Sequence, residues 1–526
     1  MEQKNGGIDR NQIIGFVLIA VIMIGFGWWQ SNNMPEEAVQ TEVAAPTVVD
    51  EDLPKMSAAA EVVDSAVVDS NAAPVYKATE VVLENTNLKL TFSTKGAALV
   101  GAQLLEYQTY DSLPLMLVNG NGTFDVRLPG SDALSAKEFT IENQSATAVV
   151  LNDGSTKVSI QLNEGFDVNF TISGTTTAPG KPELFWQRDA QRTEKGIKNE
   201  RVYSTFSYKM VEDGDVDNLS GRGGDDAETI GAVHWLAQKQ HFFSMIVHPE
   251  SGFSSAEVAT ANGTDEDESL VKNFTTTAQI NQTVDGAYTL PMSIYIGPNH
   301  YQTLKEYGQD YEKVINFGWG IFGWIGRGVV VPVFNWLEGY GWGYGLIILV
   351  MVVLIKLAMS PLTFASYRSM AKMRVLKPQL DELNSKFGEK DQVAKQQAQM
   401  NLYREAGVNP LGGCIPVLVQ MPILIAMFRF FPASIELRGE SFLWAKDLST
   451  YDDLIRWSTE IPILSSLYGN HISIFTLLMT VSTILYTRMN QQMTASTGSA
   501  EQMKQMQVIM YLMPIMFMFV LNSYPA

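Results

Sequence analysis

Two strongly polar side chains stand in the middle of runs that are mostly apolar. Lys356 lies inside GLIILVMVVLIKLAMSPLTF (345–364), and Gln420 lies inside CIPVLVQMPILIAMF (414–428). A charge at bilayer depth costs roughly 2.5–3.5 kcal/mol on insertion scales, so the lysine has one of two roles. It snorkels, its stem lifting the ammonium to the headgroups, or it faces a wet, protein-lined cavity inside the bundle. It sits about six residues, roughly 9 Å, from the nearer end of its run. Arg429 reads as a snorkelling residue at the other end of its own run, beside Phe430 and Phe431. His234, His241 and His248 recur every seven residues. On strands an odd spacing puts neighbours on opposite faces, which suits no common metal motif. The chain carries no nucleophile elbow, P-loop or HExxH, so no catalytic residue, metal or cofactor is expected. A lone cysteine, Cys414, excludes an internal disulfide and reads as a small packing residue.

The elements that must position these residues divide the chain in two. Acids sit mostly before residue 315, and apolar runs sit at the start and after residue 340. The net charge of −19 argues against direct DNA binding, which needs a basic patch. The run 13–29 follows Lys4 and Arg10 and precedes Glu36 and Glu37, as expected of an uncleaved anchor (1–34) with its N-terminus in the cytoplasm. Residues 35–75 have too few aromatics to bury a core, so an acidic disordered linker is expected. From 76 to 315 the pattern has period two: Leu88, Leu90 and Phe92, then Phe166, Val168, Phe170 and Ile172, alternate with polar residues. With turn signals at Asn121-Gly122, Asp153-Gly154 and Pro179-Gly180, this predicts a large antiparallel β-sandwich on the outer side. Residues 317–342 carry Trp319, Trp324, Trp336 and Trp342, and an interfacial amphipathic helix over 316–341, interrupted at Pro332, is expected.

Residues 342–526 are expected to form a polytopic helical membrane core, with spans at 344–362, 414–431, 471–486 and 508–521. Loop charges give the topology: 363–410 is basic and cytoplasmic, 433–470 acidic and outside, 487–507 inside. Within 364–406, Met370, Met373, Leu376, Leu380, Leu383 and Phe387 share a helical face, and a turn at 388–391 with a stop at Asn409-Pro410 completes a helical hairpin. Pro416, Pro422 and Pro514 interrupt spans, as happens where helices line something other than lipid. The last two spans have only about 14–16 apolar residues and would thin the bilayer. Met506, Met510, Met513, Met516 and Met518 give the last one an adaptable apolar surface.

SPLTFASYRSMAKMRVLKPQL (360–380) followed by VNPLGGCIPVLVQMPILIAMF (408–428) resembles the YidC family of membrane protein insertases. IGPNHYQTLKEYGQDYEKVINFGWGIFGWI (296–325) is similar to its Gram-negative form, with a large periplasmic domain. The resemblance implies a nucleotide-independent insertase and chaperone of the inner membrane that works alone or with the Sec translocon. Its partners would be nascent membrane proteins, Sec subunits, the ribosome and targeting machinery, and the lipid bilayer. It implies a cytoplasm-facing groove with one basic residue, usually arginine and here Lys356, which keeps the charge but not the planar fork. Gln420, Met421 and Pro422 would form one groove wall, and Met510, Met513 and Met516 the other. Arg368, Lys372, Arg374 and Lys377 would contact the ribosome or targeted chains. The family continues beyond the motif resembling residues 522–525 into a further transmembrane helix, so this chain is expected to end before that helix.

Two other classes fit parts of the chain. A small-ion transporter would use Lys356 as its substrate site but predicts inverted repeats, and none is found. An anchored periplasmic carbohydrate-binding protein would use the sandwich, a fold class similar to mutarotase domains, and predicts clustered carboxylates and histidines in a cleft.

Overall fold

A computed structural model describes residues 78–219, 225–264, 266–386, 392–408, 415–457, 459, 469–494 and 500–525. The anchor run 13–29, the stretch 35–75, Cys414, the turn 388–391 and the Asn409-Pro410 stop lie outside the described residues. Residues 80–298 form two antiparallel sheets. A four-stranded sheet spans Glu80–Glu84, Leu88–Ser93, Leu99–Gln108 and Pro114–Asn119. A 14-stranded sheet runs from Gly122–Arg127 through Glu183–Gln191, Leu270–Ile280, Phe253–Asn262, Val233–Lys239 and Phe243–Pro249. It continues through Val284–Pro298 and Asp167–Gly180 to Thr140–Gln144. Alternation drives the burial: Leu88, Leu90 and Phe92, and Phe166, Val168, Phe170 and Ile172, all point into the core. Phe92 and Leu99 of the small sheet face Phe170, Met245 and Ile294 of the large one across a near-empty gap of about 10 Å³.

Only one of the three turn signals closes a hairpin. Gly154, at φ 91°, joins Ala148–Asn152 to its partner Thr156–Leu162. Asn121-Gly122 instead carries the chain from the small sheet to the large one. Pro179-Gly180 ends a strand whose successor pairs elsewhere in the sheet. A turn residue marks a change of direction, and pairing is then decided by which apolar faces meet.

Two short helices, α1 (Ile197–Tyr203) and α2 (Tyr301–Glu306), decorate the sheets. The helix α3 (Gly320–Glu338) follows, with Trp319, Trp324 and Trp336 largely exposed. Pro332 does not interrupt it. A π-helical turn over Gly326–Val330 widens the backbone just before the proline ring, which would otherwise strike the carbonyl four residues back. By length and mean hydropathy (1.2) α3 also meets the minimum for a membrane span.

Among the described residues four helices make the apolar C-terminal region: α4 (Tyr344–Val375), α7 (Ile415–Ala433), α8 (Ile474–Thr494) and α9 (Ala500–Leu521), with α5 (Lys377–Lys386) and α6 (Gln392–Glu405) between the first two. The first of these runs well past its apolar stretch, so the first arm of the 364–406 hairpin begins as a continuation of the span. The break falls at Leu376, where Pro378 lacks the N–H and its ring disfavours helix just before it. At the other end of the hairpin, the chain leaves α6 before reaching Asn409-Pro410. Gly407 at φ 62° donates to the Arg404 carbonyl, and Val408 to that of Tyr403, a Schellman cap. The last two helices also extend beyond their apolar parts (474–489 and 508–521), taking in most of the segment 487–507 expected as a loop.

Candidate functional site

The β-fold sits against one end of the helices, the sheet-side end. The segment 193–200 of the β-fold reaches the chain beyond three of them. Glu194 accepts from Arg438, just after α7, and Lys195 pairs with Asp453, ahead of α8, at 2.9 Å. Asn199 Nδ2 donates to the Ser523 carbonyl, just after α9, at 2.9 Å. His241 Nε2–H donates to the Pro432 carbonyl at 2.7 Å, and His300 faces Glu436 at 3.4 Å. The start of α8 is fastened separately. Asp452 accepts from the backbone N–H of Ile474 and the hydroxyl of Ser473, placing a carboxylate at the positive end of the helix.

These fastenings align the helices that carry the two unexpected polar residues. Phe334 of α3 contacts both Tyr344 and Phe430, with ring centroids at 5.8 and 5.1 Å, so these two residues lie at one level. From that level Lys356 is twelve residues along α4, about 18 Å, and Gln420 ten residues back along α7, about 15 Å. They therefore sit within one helical turn of the same depth.

Their faces are set by neighbours one or more turns away. Lys356 is exposed and makes no hydrogen bond or ion pair to a described residue. It shares a face with Tyr367, eleven residues on, which hydrogen-bonds Tyr486 of α8. Gln420 is half-buried and lies seven residues before Met427, on the same face. Met427 lines an apolar cavity of about 340 Å³, together with Ile348, Phe431, Phe475, Met479 and Leu521. Gln420 is thus on the cavity-lining face of α7, whereas Lys356 is exposed on a flank of α4, nine residues from buried Ile347; both lie beyond the cavity as seen from the sheet-side end.

The prolines loosen this region without leaving every carbonyl bare. Pro361 cannot donate to the Leu357 carbonyl, and the Ser360 hydroxyl does so instead at 2.8 Å. The Thr363 hydroxyl donates to the Met359 carbonyl at 2.9 Å. Pro422 likewise cannot donate to the Leu418 carbonyl, two residues from Gln420.

The other expected site residues distribute unevenly. Met421 is exposed at the edge of the cavity face, seven residues before cavity-lining Phe428, and Pro422 falls on the opposite side of α7. Met510 shares the face of cavity-lining Leu521, while Met513 and Met516 are exposed and turned away from it. Arg368, Lys372 and Arg374 are exposed at the far end of α4, and Lys377 opens α5. The cavity itself contains neither Lys356 nor Gln420.

His241 and His248 make structural contacts, and His234 is exposed. His241 is buried between Tyr203 and Phe242, and burial, with Lys239 and Arg438 nearby, brings it down to about 3. His248, brought down to about 4 chiefly by burial, hydrogen-bonds the Tyr311 hydroxyl. Among the described residues no group of His, Cys, Asp or Glu could hold a metal ion. Sequence reasoning passed over Glu194 and Glu200, two acids among 56 whose TEKGIKNE context reads as solvated. It also passed over Ser360, although a Ser-Pro pair inside an apolar run signals a replaced hydrogen bond.

The chain resembles known proteins over nearly its whole length. Residues 80–331 match the family described as YidC periplasmic domain, and residues 336–526 the family described as 60Kd inner membrane protein. A protein of Parabacteroides distasonis named membrane protein insertase YidC is 35% identical, over 99% of this chain and 89% of that one. One of the same name from Bacteroides fragilis is 33% identical, over 99% and 88%. Among solved structures, YidC of Thermotoga maritima aligns with 86% of this chain and 93% of its own, at 14% identity and a TM-score of 0.28. A putative aldose 1-epimerase of Escherichia coli K12 aligns with 42% of this chain and 99% of its own, at 11% identity and 0.28. Neither structural likeness bears on the assignment, which rests on the sequence matches: this chain belongs to the YidC family of membrane protein insertases.

Proposed function

We propose that this protein inserts other proteins into the bacterial inner membrane through a groove whose charge is Lys356. The observation that supports the reading best is the matching depth of Lys356 on α4 and of Gln420 on the cavity-side face of α7. A long apolar guest needs no help to prefer lipid, because burial of its apolar surface is favourable. Its polar flank is what resists crossing. A hydrated, positively charged recess lowers that barrier for an acidic flank, and the apolar part then slides along α7 and α9 into the bilayer. The adaptable methionines of α9 suit guests of varied shape. No nucleotide is needed in this scheme. A membrane potential adds about 2.3 kcal/mol per acidic charge per 100 mV moved outward.

In this reading the β-fold is periplasmic and the far end of α4 cytoplasmic, which obeys the positive-inside rule. Arg368, Lys372, Arg374 and Lys377 then face the ribosome and targeting machinery, and the Sec translocon is a further partner. The helix α3 lies along the outer surface. Its support is that α7 buries only Ala426, Phe430 and Pro432, all in its sheet-side half, as a helix crossing that end would leave it.

The test uses nucleotide-free liposomes containing the full chain and a purified one-span protein with an acidic outer tail. Protease protection of the tail should appear with the wild type and fall at least several-fold with Lys356→Ala. Equal insertion by both would remove the lysine from the mechanism. No insertion above empty liposomes would remove unaided insertion itself.

A further inference from the structure

At the join between the β-fold and α7, two carboxyls are buried together. Glu200, on α1, is fully buried and Glu194 nearly so. Glu200 accepts from the backbone N–H groups of Thr193 and Glu194 at 3.0 and 3.1 Å and from Gln240 Nε2 at 2.7 Å. Glu194 accepts from Arg438 Nε at 2.8 and 3.0 Å through its two oxygens. Between the two carboxyls stands one hydroxyl. Thr193 Oγ1 lies 2.7 Å from Glu200 Oε1 and 3.0 Å from Glu194 Oε1.

A hydroxyl has a single proton to donate. Both contacts are full two-centre hydrogen bonds if one of the two carboxyls is itself protonated and donates to the hydroxyl's lone pair. With neither protonated, the single hydroxyl proton is split between two carboxylates or serves only one of them, which is costly in a dry site. We propose that Glu194 and Glu200, bridged by Thr193 and capped by Arg438, hold one shared proton at neutral pH. This makes the join a pH-sensitive fastening between the β-fold and the outer end of α7.

The surroundings agree. Among the described residues Arg438 is the cation in direct contact with either carboxyl. Arg188, from the adjoining strand, reaches Glu200 only through Gln240 and otherwise binds Gln238 and the Leu117 carbonyl. Lys239 and Lys272 are committed to the carbonyls of Tyr203 and Ser204 at the end of α1. Arg192 pairs with Glu268, Lys195 with Asp453, and Arg201 binds carbonyls of the 264–270 loop. His241 stays neutral against Pro432, and Glu436 faces His300. Burial pushes Glu194 up to about 7, against the pull of Arg438, and pushes Glu200 up as well. With one proton the join holds one carboxylate, one acid and one guanidinium. Loss of that proton adds a second buried negative charge beside the first, and the fastening weakens.

This inference does not depend on the insertase reading, and its test uses no insertion assay. The full chain in nanodiscs is melted from about pH 5 to about pH 8, as wild type and as Glu194→Gln and Glu200→Gln, each of which copies the protonated form. A raised folded-state pKa means that stability falls as pH rises from the ordinary carboxyl value to about 7. The melting temperature of either variant should therefore rise relative to wild type across that range. Infrared spectra at neutral pH should show one carboxylic-acid carbonyl band that both variants lack. If one variant does not fold, the other decides. Parallel melting curves, or a wild type without that band, overturn the proposal.

Discussion

Arg438 and Glu194, 244 residues apart in sequence, meet through the arginine Nε and both carboxylate oxygens at 2.8 and 3.0 Å. The second guanidinium nitrogen donates to the Gln108 carbonyl at 2.6 Å. One side chain after α7 therefore ties a membrane helix to two parts of the β-fold.

Because that pair is almost fully buried, removing one partner leaves an uncompensated charge. Arg438→Met should destabilise the chain by about 3–5 kcal/mol near neutral pH. The loss should shrink toward pH 5, where a protonated Glu194 needs no cation. Chemical unfolding at the two pH values measures this, and an equal loss at both would contradict it.

Lys356 should be replaceable by charge and not by shape. Lys356→Arg should insert an acidic-tailed guest within about two-fold of wild type, whereas Lys356→Glu should do so at least ten-fold less well, since it adds repulsion to the lost attraction. A guest with a neutral tail should distinguish the three proteins far less. Comparing initial insertion rates for the two guests checks this.

His241 gives the opposite pH dependence to the carboxyl pair. The unfolded chain protonates this histidine near its ordinary value of 6.5, the folded chain only near 3. The stability it contributes is complete above about 6.5 and is lost as pH falls through that window toward 3. His241→Gln keeps a donor for the Pro432 carbonyl and cannot protonate, so its acid-side decline should be shallower than wild type. Melting curves between pH 6.5 and pH 4 read the difference.

Gly345, in the first turn of α4, packs against the ring of Phe442. A Cβ there would overlap the Cβ, Cγ and Cδ2 atoms of that side chain. Gly345→Ala should displace the 438–448 loop and cost about 1–3 kcal/mol as overpacking. Phe442→Ala should relieve most of that added strain in the double variant, which a double-mutant cycle would show as coupling.

The period-two runs around Leu88 and Phe166 made the β-fold legible, because a half-buried strand must alternate. The same runs could not say that Asn121-Gly122 crosses between sheets, since pairing depends on residues far along the chain. The helices were legible from their apolar length. The ends of α4 and α6 were not, because Pro378 and Gly407 act through backbone geometry that a hydropathy reading passes over. Lys356 and Gln420 stood out because a polar group in an apolar run is costly. Glu194, Thr193 and Glu200 did not, because an acid near a lysine and a glycine looks solvated until its neighbours are known.

By itself the sequence determined which segments are strands and apolar helices and which two polar groups break the apolar runs, since both follow from local periodicity and transfer energy. Only the tertiary structure decided that Lys356 and Gln420 share a depth, that Phe334 sets their common level, and that two distant acids are buried behind one arginine. Those relations depend on which surfaces close against each other, and packing of that kind couples residues hundreds of positions apart.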